Sequence, residues 1–259
     1  MTKAKLDTAF QTVEKVGEKA FVPYIMAGDG GLENLNESIR FLAESGATAI
    51  ELGLPFSDPV ADGPTIQAAG IRALEAGTTV QAVLDEVAKE KDNRMIPLVI
   101  MTYLNPIFAY GVEAFAQSCE AAGISGLILP DLPLEEEGLV VKALKKHNIA
   151  LIRLVALTST QERIQALAER SEGFLYAVTV AGTTGERASF VNQIGAHLQA
   201  LKEISKAPVL AGFGVSTPEH VKELSQYCDG VVVGSKIVDA LNRGDKQQVA
   251  DLIASRKEA

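Results

Sequence analysis

The sequence has few of the features that would link it to nucleic acid, a membrane or the cell exterior. Its only two cysteines, Cys119 and Cys228, lie far apart, which is typical of reduced, buried thiols. The net charge is −9 and no basic run is longer than Lys145-Lys146, so nucleic acid and anionic membranes are poor partner candidates. No apolar stretch is as long as a membrane span, and residues 1–7 lack the apolar core of a signal peptide. These absences predict a soluble, cytoplasmic protein.

Histidine is scarce, and its distribution argues against a metal site. His147, His197 and His220 lie in helical or post-helical stretches without the spacing of metal ligands, so we expect all three at the surface. The acidic run Glu135-Glu136-Glu137 is typical of a helix N-terminus, where the helix dipole favours negative charge. The sequence therefore predicts no metal.

The composition is nevertheless sufficient for a large folded core. Hydrophobic residues make up 47% of the 259 residues and charged residues 22%, which is not the composition of a disordered chain. No Ser- or Pro-rich linker divides the sequence. We expect one domain over residues 1–259, and α/β barrels commonly have this length.

Short apolar runs that predict strands alternate with helical patterns eight times along the chain. The runs are continuously apolar, as expected for a parallel sheet that is covered on both faces. The predicted strands are Phe21–Ile25, Ala47–Leu52, Pro97–Met101, Gly126–Leu129, Ala150–Val155, Phe174–Val178, Pro208–Ala211 and Gly230–Val233. The predicted helices between them include Leu32–Ser45, Val112–Ala122, Leu134–Lys146, Gln161–Arg170, Phe190–Ile204 and Pro218–Leu224.

This alternation favours an α/β fold, specifically a (β/α)8 TIM barrel. A doubly wound sheet is the alternative, but such sheets usually have fewer strands and leave two edges. Residues Thr2–Val16 precede the first strand and show a helical pattern, so we expect an extra N-terminal helix that closes the floor of the barrel.

The segment from Glu51 to Gln67 carries two acids, Glu51 and Asp62, near its opposite ends and a third, Asp58, between them. Its sequence is ELGLPFSDPVADGPTIQ, in which Glu51 lies near the end of a predicted strand and Asp62 lies on the following loop. Two carboxyl groups in different environments can take different roles in acid–base chemistry. Taken alone, Glu51 equally fits a buried acid paired with an arginine or a backbone donor. Asp62 alone fits a turn or helix-cap residue.

Glycine-bearing segments follow the last three predicted strands. They are residues 181–185, residues 212–216 and the pair Gly234-Ser235, after which a short helix is predicted to begin at Ser235. Glycines let backbone N–H groups approach an anion closely, and a helix N-terminus adds its dipole. TIM barrels frequently bind phosphate at this position. Any one of these glycines could instead simply turn the chain, but the three segments together favour phosphate binding.

Several motifs together identify a family. They occur in family order over nearly the full length of the chain. They are Phe21-Val22-Pro23-Tyr24, the Glu51–Gln67 segment, Met101-Thr102-Tyr103-Leu104-Asn105-Pro106, Pro130-Asp131-Leu132-Pro133, Gly182-Thr183-Thr184-Gly185, Gly212-Phe213-Gly214-Val215-Ser216 and Gly234-Ser235. The chain resembles the α subunit of tryptophan synthase.

This resemblance implies an activity and a partner. The activity is the cleavage of indole-3-glycerol phosphate to indole and glyceraldehyde 3-phosphate in tryptophan biosynthesis, on a (β/α)8 barrel. The partner is a β subunit in an α2β2 assembly. The resemblance implies no cofactor in this chain, because the pyridoxal phosphate belongs to the β subunit.

The resemblance also implies roles for individual residues. Glu51 and Asp62 match the two catalytic carboxylates, Tyr176 matches a tyrosine of the same pocket, and Thr184 matches a loop threonine that contacts the catalytic aspartate on closure. The remaining matches are Gly185, Gly214, Gly234 and Ser235 for phosphate, Tyr24, Tyr103 and Leu129 for the indole pocket, and Asp58, Asn105 and Pro133 for the loops that face the β subunit.

The implied reaction is a retro-aldol cleavage, and it assigns a task to each acid. Asp62 suits the charge that develops near the indole nitrogen. Glu51 suits proton transfer at indole C3 and at the side-chain hydroxyl, with a pKa raised by burial among Ile50, Leu52 and Leu129. Lys236 could be suspected of forming a Schiff base, but its position beyond the strand end favours a solvated lysine.

Three alternative functions remain open at this point. One is a stand-alone indole-releasing lyase without a β partner. Another is a non-catalytic, phosphate-binding regulatory subunit, against which the presence of both Glu51 and Asp62 argues. The third is a different phosphate-binding barrel enzyme, such as an isomerase or indole-glycerol-phosphate synthase, and the latter would be expected to show a catalytic lysine among its strand ends.

Overall fold

Eight parallel strands close into a barrel in which β1 pairs with both β2 and β8. The structure, a computed structural model, describes residues 2–179, 187–212 and 214–258, with the side chains of all of these except 187–193 and 258. The strands are β1 Ala20–Met26, β2 Ile50–Gly53, β3 Leu98–Met101, β4 Ile124–Ile128, β5 Ala150–Ala156, β6 Leu175–Val178, β7 Val209–Gly212 and β8 Gly230–Val233. The predicted (β/α)8 barrel is confirmed.

Helices cover the outside of the barrel. They are α1 Thr2–Lys15, α2 Leu35–Glu44, α3 Pro64–Glu75, α4 Val80–Ala88, α5 Leu104–Tyr110, α6 Val112–Ala121, α7 Gly138–Lys146, α8 Gln161–Arg170, α9 Arg187–Ile204, α10 Pro218–Ser225, α11 Ser235–Asn242 and α12 Lys246–Ala254. Threonine side chains cap several of them. Thr79, Thr160 and Thr217 each accept a hydrogen bond from a backbone N–H in the first turn of α4, α8 and α10.

Two predicted helices begin later than expected. Both start with a short 3-10 helix, Leu32–Asn34 before α2 and Leu134–Glu136 before α7. None of the helices in the described part of the chain combines the length and apolarity that crossing a bilayer requires.

The apolar side chains form an inner and an outer layer, because successive strand residues point to opposite faces. Val22, Val99 and Ile152 belong to the cluster inside the barrel, whereas Ile50 and Leu52 belong to the cluster between strands and helices. Helix α1 closes the lower end of the inner cluster. Its Leu6 and Phe10 are buried, and the Phe10 ring lies 5.5 Å from that of Phe174 at the start of β6. The prediction of an N-terminal helix at the barrel floor is confirmed.

The expectation that all three histidines are at the surface is wrong for His147, which is buried. Its ring lies at the end of α7 against α6, with Nδ1 2.7 Å from a Glu120 carboxyl oxygen and Nε2 3.2 Å from one of Glu113. Helix periodicity places His147 at an interhelical contact that local sequence does not reveal. His197 and His220 are half-buried. Among the described residues, no group of three or more His, Cys, Asp or Glu side chains is arranged to hold a metal ion.

A buried ion pair joins β5 to the start of α7. The Arg153 guanidinium donates to both carboxyl oxygens of Glu137, with an Nη2–Oε2 distance of 3.0 Å, and also to the carbonyl oxygens of Leu151 and Arg170. Both side chains are about nine-tenths buried. Removing one partner of such a pair leaves an uncompensated buried charge.

We therefore expect Glu137→Ala to lower the free energy of unfolding by about 3–5 kcal/mol, measured by urea denaturation. The matched control is Glu135→Ala on the preceding 3-10 turn, because Glu135 pairs with Arg163 at the exposed surface. Such exposed pairs contribute little to stability. Equal losses in the two variants would contradict a special contribution from the buried pair.

Candidate active site

A cavity of about 400 Å³ opens at the carboxyl ends of the strands, where barrels place their active sites. It brings together seven of the eleven residues that the sequence assigns to catalysis, phosphate binding or the indole pocket. Those that line it are Tyr24, Glu51, Asp62, Tyr176, Gly214, Gly234 and Ser235. The predicted residues Thr184 and Gly185 lie outside the described residues.

Glu51 projects from β2 into the barrel interior and is 1% exposed. Its strand partners are Tyr24 on β1 and Val99 on β3, both members of the inner cluster. Burial raises the pKa of the Glu51 carboxyl to about 8, and the charge of Asp62 contributes in the same direction. Among the described residues, no hydrogen-bond partner faces Oε1. The carboxyl group therefore carries a proton at neutral pH.

The predicted source of this burial requires correction. Ile50, Leu52 and Leu129 belong to the outer cluster, on the opposite side of the strands from the Glu51 carboxyl. Leu129 directly follows Ile128, whose side chain faces the interior, so the alternation of the strand turns Leu129 outwards. The structure thus does not bring Leu129 to the cavity where the indole pocket was expected.

Asp62 lies on the loop between β2 and α3, and Tyr103 holds this loop in place. The backbone N–H of Ala61 donates to the Tyr103 hydroxyl over 3.0 Å, and this hydroxyl also interacts with the Asp62 carboxyl. Phe56 lies on the same loop as Asp62, and its ring is 5.5 Å from the ring of Tyr103. Burial raises the Asp62 pKa, and the hydrogen bond from Tyr103 lowers it. Burial has the larger effect, so the Asp62 pKa is raised on balance, but the Tyr103 hydroxyl favours the ionised form and no such group in the described part of the chain faces Glu51 Oε1.

Two glycines that the sequence analysis did not assign to this role leave space for the cavity tyrosines. A Cβ atom on Gly53 would lie 1.9 Å from the Tyr24 hydroxyl, and one on Gly212 would lie 2.2 Å from the Tyr176 ring. Each glycine is the last residue of its strand. In the sequence, glycine at the end of a strand is the signal for this role, and Gly212 also belongs to a segment that predicts phosphate binding.

The far end of the cavity has the features of an anion site. Gly214 has a φ of 81°, a conformation that favours glycine, and Gly234 precedes the first turn of α11. The first N–H groups of a helix have no partners within the helix, so those of Ser235 and Lys236 are available to an anion. Ser216 lines the same end, with its hydroxyl 3.3 Å from His220 Nδ1.

The predicted partner-facing residues are separate from the cavity. Asp58, Asn105 and Pro133 are all exposed and lie beyond β2, β3 and β4. The loops after β3 and β4 are joined to each other, because the backbone N–H of Leu104 donates to the Asp131 carboxylate at 3.0 and 3.1 Å.

Comparison with known proteins agrees with this geometry. The family model described as tryptophan synthase alpha chain matches residues 10–259. The chain belongs to the tryptophan synthase alpha chain family. It is accordingly a carbon–carbon lyase that cleaves indole-3-glycerol phosphate in tryptophan biosynthesis.

The sequence matches its relatives over almost its whole length. The tryptophan synthase alpha chain of Oceanobacillus iheyensis is 56% identical over 253 residues, which cover 98% of this chain and 97% of that one. A solved structure of the alpha subunit from Legionella pneumophila superposes with a TM-score of 0.88 at 33% identity, with coverage of 98% and 97%. Tryptophan synthase from M. tuberculosis, in an aminoacrylate-bound form, superposes with a TM-score of 0.85 at 35% identity, with coverage of 97% and 98%.

The raised Glu51 pKa predicts a specific dependence of stability on pH. From pH 4.5 to about 8 the unfolded chain loses the Glu51 proton while the folded chain retains it. The free energy of unfolding should therefore fall as pH rises through this window, by up to about 1.4 kcal/mol per unit from this one group. Glu51→Gln should remove that contribution, so the variant should gain stability relative to the unmodified protein between pH 5.5 and 7.5.

Urea denaturation at several pH values measures this gain. Glu44→Gln, on the exposed side of α2, is the matched control because it changes the charge identically at the surface. Curves of Glu51→Gln and the unmodified protein that stay parallel across the window would show that Glu51 ionises normally in the fold.

Proposed function

We propose that the cavity performs the retro-aldol cleavage with Glu51 as the proton-transfer group and Asp62 as the anion beside the indole nitrogen. The observation that carries this proposal is the contrast between two carboxyl groups of one cavity. One is completely buried with a pKa raised to about 8, and the other is partly exposed, with a pKa that burial raises and the Tyr103 hydroxyl lowers. Such a separation of environments is how acid and base roles are divided between carboxyls.

Glu51 acts first as an acid and then as a base. Its carboxyl group, protonated at neutral pH, donates the proton to indole C3, and the ring acquires positive charge. The resulting carboxylate then removes the proton of the hydroxyl on the adjacent glycerol carbon. As the carbonyl of glyceraldehyde 3-phosphate forms, the electron pair of the C3–carbon bond returns to the ring and releases indole. Glu51 regains its proton in this step, so it is unchanged over one turnover.

Asp62 stabilises the cationic ring. Positive charge develops at the indole nitrogen once C3 is protonated, and a fixed carboxylate beside the N–H lowers the energy of that state. The Tyr103 hydroxyl and the backbone of Ala61 hold the loop in position, so this stabilisation requires little rearrangement. We further propose that Thr184 hydrogen-bonds Asp62 when substrate is bound.

Binding of the substrate is divided between the two ends of the cavity. Backbone N–H groups around Gly214, Gly234 and Ser235, together with Gly185, bind the phosphate. Tyr24 and Tyr176 line the apolar part of the cavity and would contact the indole ring.

We propose that a β subunit carrying pyridoxal phosphate binds the exposed face formed by Asp58, Asn105 and Pro133, in an α2β2 assembly in the cytoplasm. The three residues lie in the connections that follow β2, β3 and β4, at the same end of the barrel as the cavity. Solved structures of tryptophan synthase are among those that superpose on this chain, which supports such an assembly. The α reaction itself uses only acid–base groups of this chain.

We expect Glu51→Gln to lower the rate of indole release by about 10²–10⁴-fold, because the amide can neither donate nor accept the transferred proton. The assay measures indole formed from indole-3-glycerol phosphate by the purified chain. Binding of glycerol 3-phosphate should stay close to normal, since Glu51 lies away from the phosphate end. A turnover within a few fold of that of the unmodified protein would refute the assignment.

Adding a β subunit loaded with pyridoxal phosphate should stimulate indole release up to a 1:1 ratio. Asp58→Ala should raise the half-saturating β-subunit concentration by about 5-fold or more, the effect of losing one significant interface residue. Asp92→Ala, at an exposed site before β3 on the opposite end of the barrel, is the charge-matched control. An absence of stimulation would favour the stand-alone lyase, and equal behaviour of the two variants would exclude Asp58 from the interface.

A further inference from the structure

The lining of the cavity is electrostatically unbalanced. The carboxyl groups of Asp62 and Asp239 border it together with the protonated Glu51, and Lys236 supplies the one cationic side chain among its described lining residues. Lys236 is the second residue of α11 and is half-buried. It therefore borders the same end of the cavity as Gly234, where the anion site lies.

Among the described residues, no carboxylate oxygen lies within 4 Å of the Lys236 ammonium group. Some other lysines do form ion pairs. Lys202 lies 2.7 Å from Asp229, and Lys246 lies 3.0 Å from Glu37. Asp239, one turn further along α11, pairs instead with Arg243.

The position of Lys236 is also unfavourable for the helix. A cation in the first turn is repelled by the positive end of the helix dipole, and cations are normally found in the last turn. A residue that opposes a local preference without a compensating contact within the fold indicates a functional requirement. An anion bound at the N-terminus of α11 would attract the Lys236 ammonium group and so make this position favourable for a cation.

We propose that Lys236 is a phosphate-binding residue that supplies the full positive charge for the substrate's phosphate dianion. This inference rests on the function proposed above. Backbone N–H groups contribute only partial charges, while the chain has a net charge of −9 and the carboxyl groups of Asp62 and Asp239 line the cavity beside the protonated Glu51. The ammonium group offsets this repulsion at the phosphate end and makes binding selective for phosphorylated substrates.

The test compares Lys236→Met, which keeps the length of the side chain, with Lys236→Arg, which keeps its charge. Calorimetry with glycerol 3-phosphate should show about 10-fold weaker binding for Lys236→Met at low ionic strength, and the deficit should shrink as salt is added. Binding of free indole should be affected much less. Lys236→Arg should restore most of the affinity for glycerol 3-phosphate.

Kinetics provide a second readout. In the indole-release assay, Lys236→Met should raise KM for indole-3-glycerol phosphate more than it lowers kcat, because the phosphate contact is made in both the ground state and the transition state. Lys206→Met removes the same charge from an exposed turn before β7, at the other end of the barrel, and should bind glycerol 3-phosphate normally.

Two outcomes would overturn the proposal. One is glycerol 3-phosphate binding by Lys236→Met within two-fold of the unmodified protein at low salt. The other is an equal loss of binding for indole and glycerol 3-phosphate, which would indicate a general structural effect. Failure of the proposed function is recognised separately, since the unmodified protein would then release no indole whatever the outcome of the binding comparison.

Discussion

The burial of one carboxyl group inside an apolar barrel is the constraint on which the site depends. Glu51 is held by strand pairing on both sides, with Tyr24 and Val99 as neighbours, so it cannot turn away from the interior. Its proton is retained because the barrel offers its carboxylate no solvation. The same arrangement that makes the group useful at neutral pH opposes folding as pH rises, so function and stability conflict at this residue.

Around the cavity, large side chains pack against strand-end positions that carry no side chain. Tyr24 and Tyr176 occupy space that Gly53 and Gly212 leave open at the ends of neighbouring strands. Asp62 is positioned differently, on a loop whose backbone is held by a tyrosine from the next strand end. The barrel thus fixes one carboxyl group rigidly within its sheet and the other through a single hydroxyl contact.

Periodicity predicted the barrel well, because buried parallel strands are continuously apolar and the helices between them have one apolar face. Gly230–Val233 and Gln161–Arg170 have the predicted bounds. Helices α4, α5 and α12 were not among those predicted. Helices α4 and α5 each lie in a connection that holds a second helix, and α12 follows the last strand, where simple strand–helix alternation gives no guidance.

Site residues that belong to a continuous sequence motif could be predicted. Residues whose position depends on which face of a strand their side chain points to were harder to predict. Glu51 and Asp62 come from one continuous segment, and both reach the cavity. Leu129 was predicted to line the pocket, but it lies one residue after the inward-facing Ile128 and therefore points outwards. Lys236 was expected to be an ordinary solvated lysine, because no local pattern shows that the described residues place no carboxylate oxygen within 4 Å of its ammonium group. The spacing of His147 likewise gave no indication of the carboxylates that α6 brings to it.

The hydrogen bond between Tyr103 and the Asp62 loop has a mechanical consequence. Tyr103 immediately precedes α5, and the exposed Asn105 lies within the first turn of that short helix. Leu104, between them, is bound to Asp131 on the neighbouring loop. A displacement of α5 at the protein surface therefore moves the hydroxyl that holds the Asp62 loop, with only the Tyr103 side chain between helix and loop. A contact that shifts α5 at the surface can thus change the position of the loop that carries the Asp62 carboxylate.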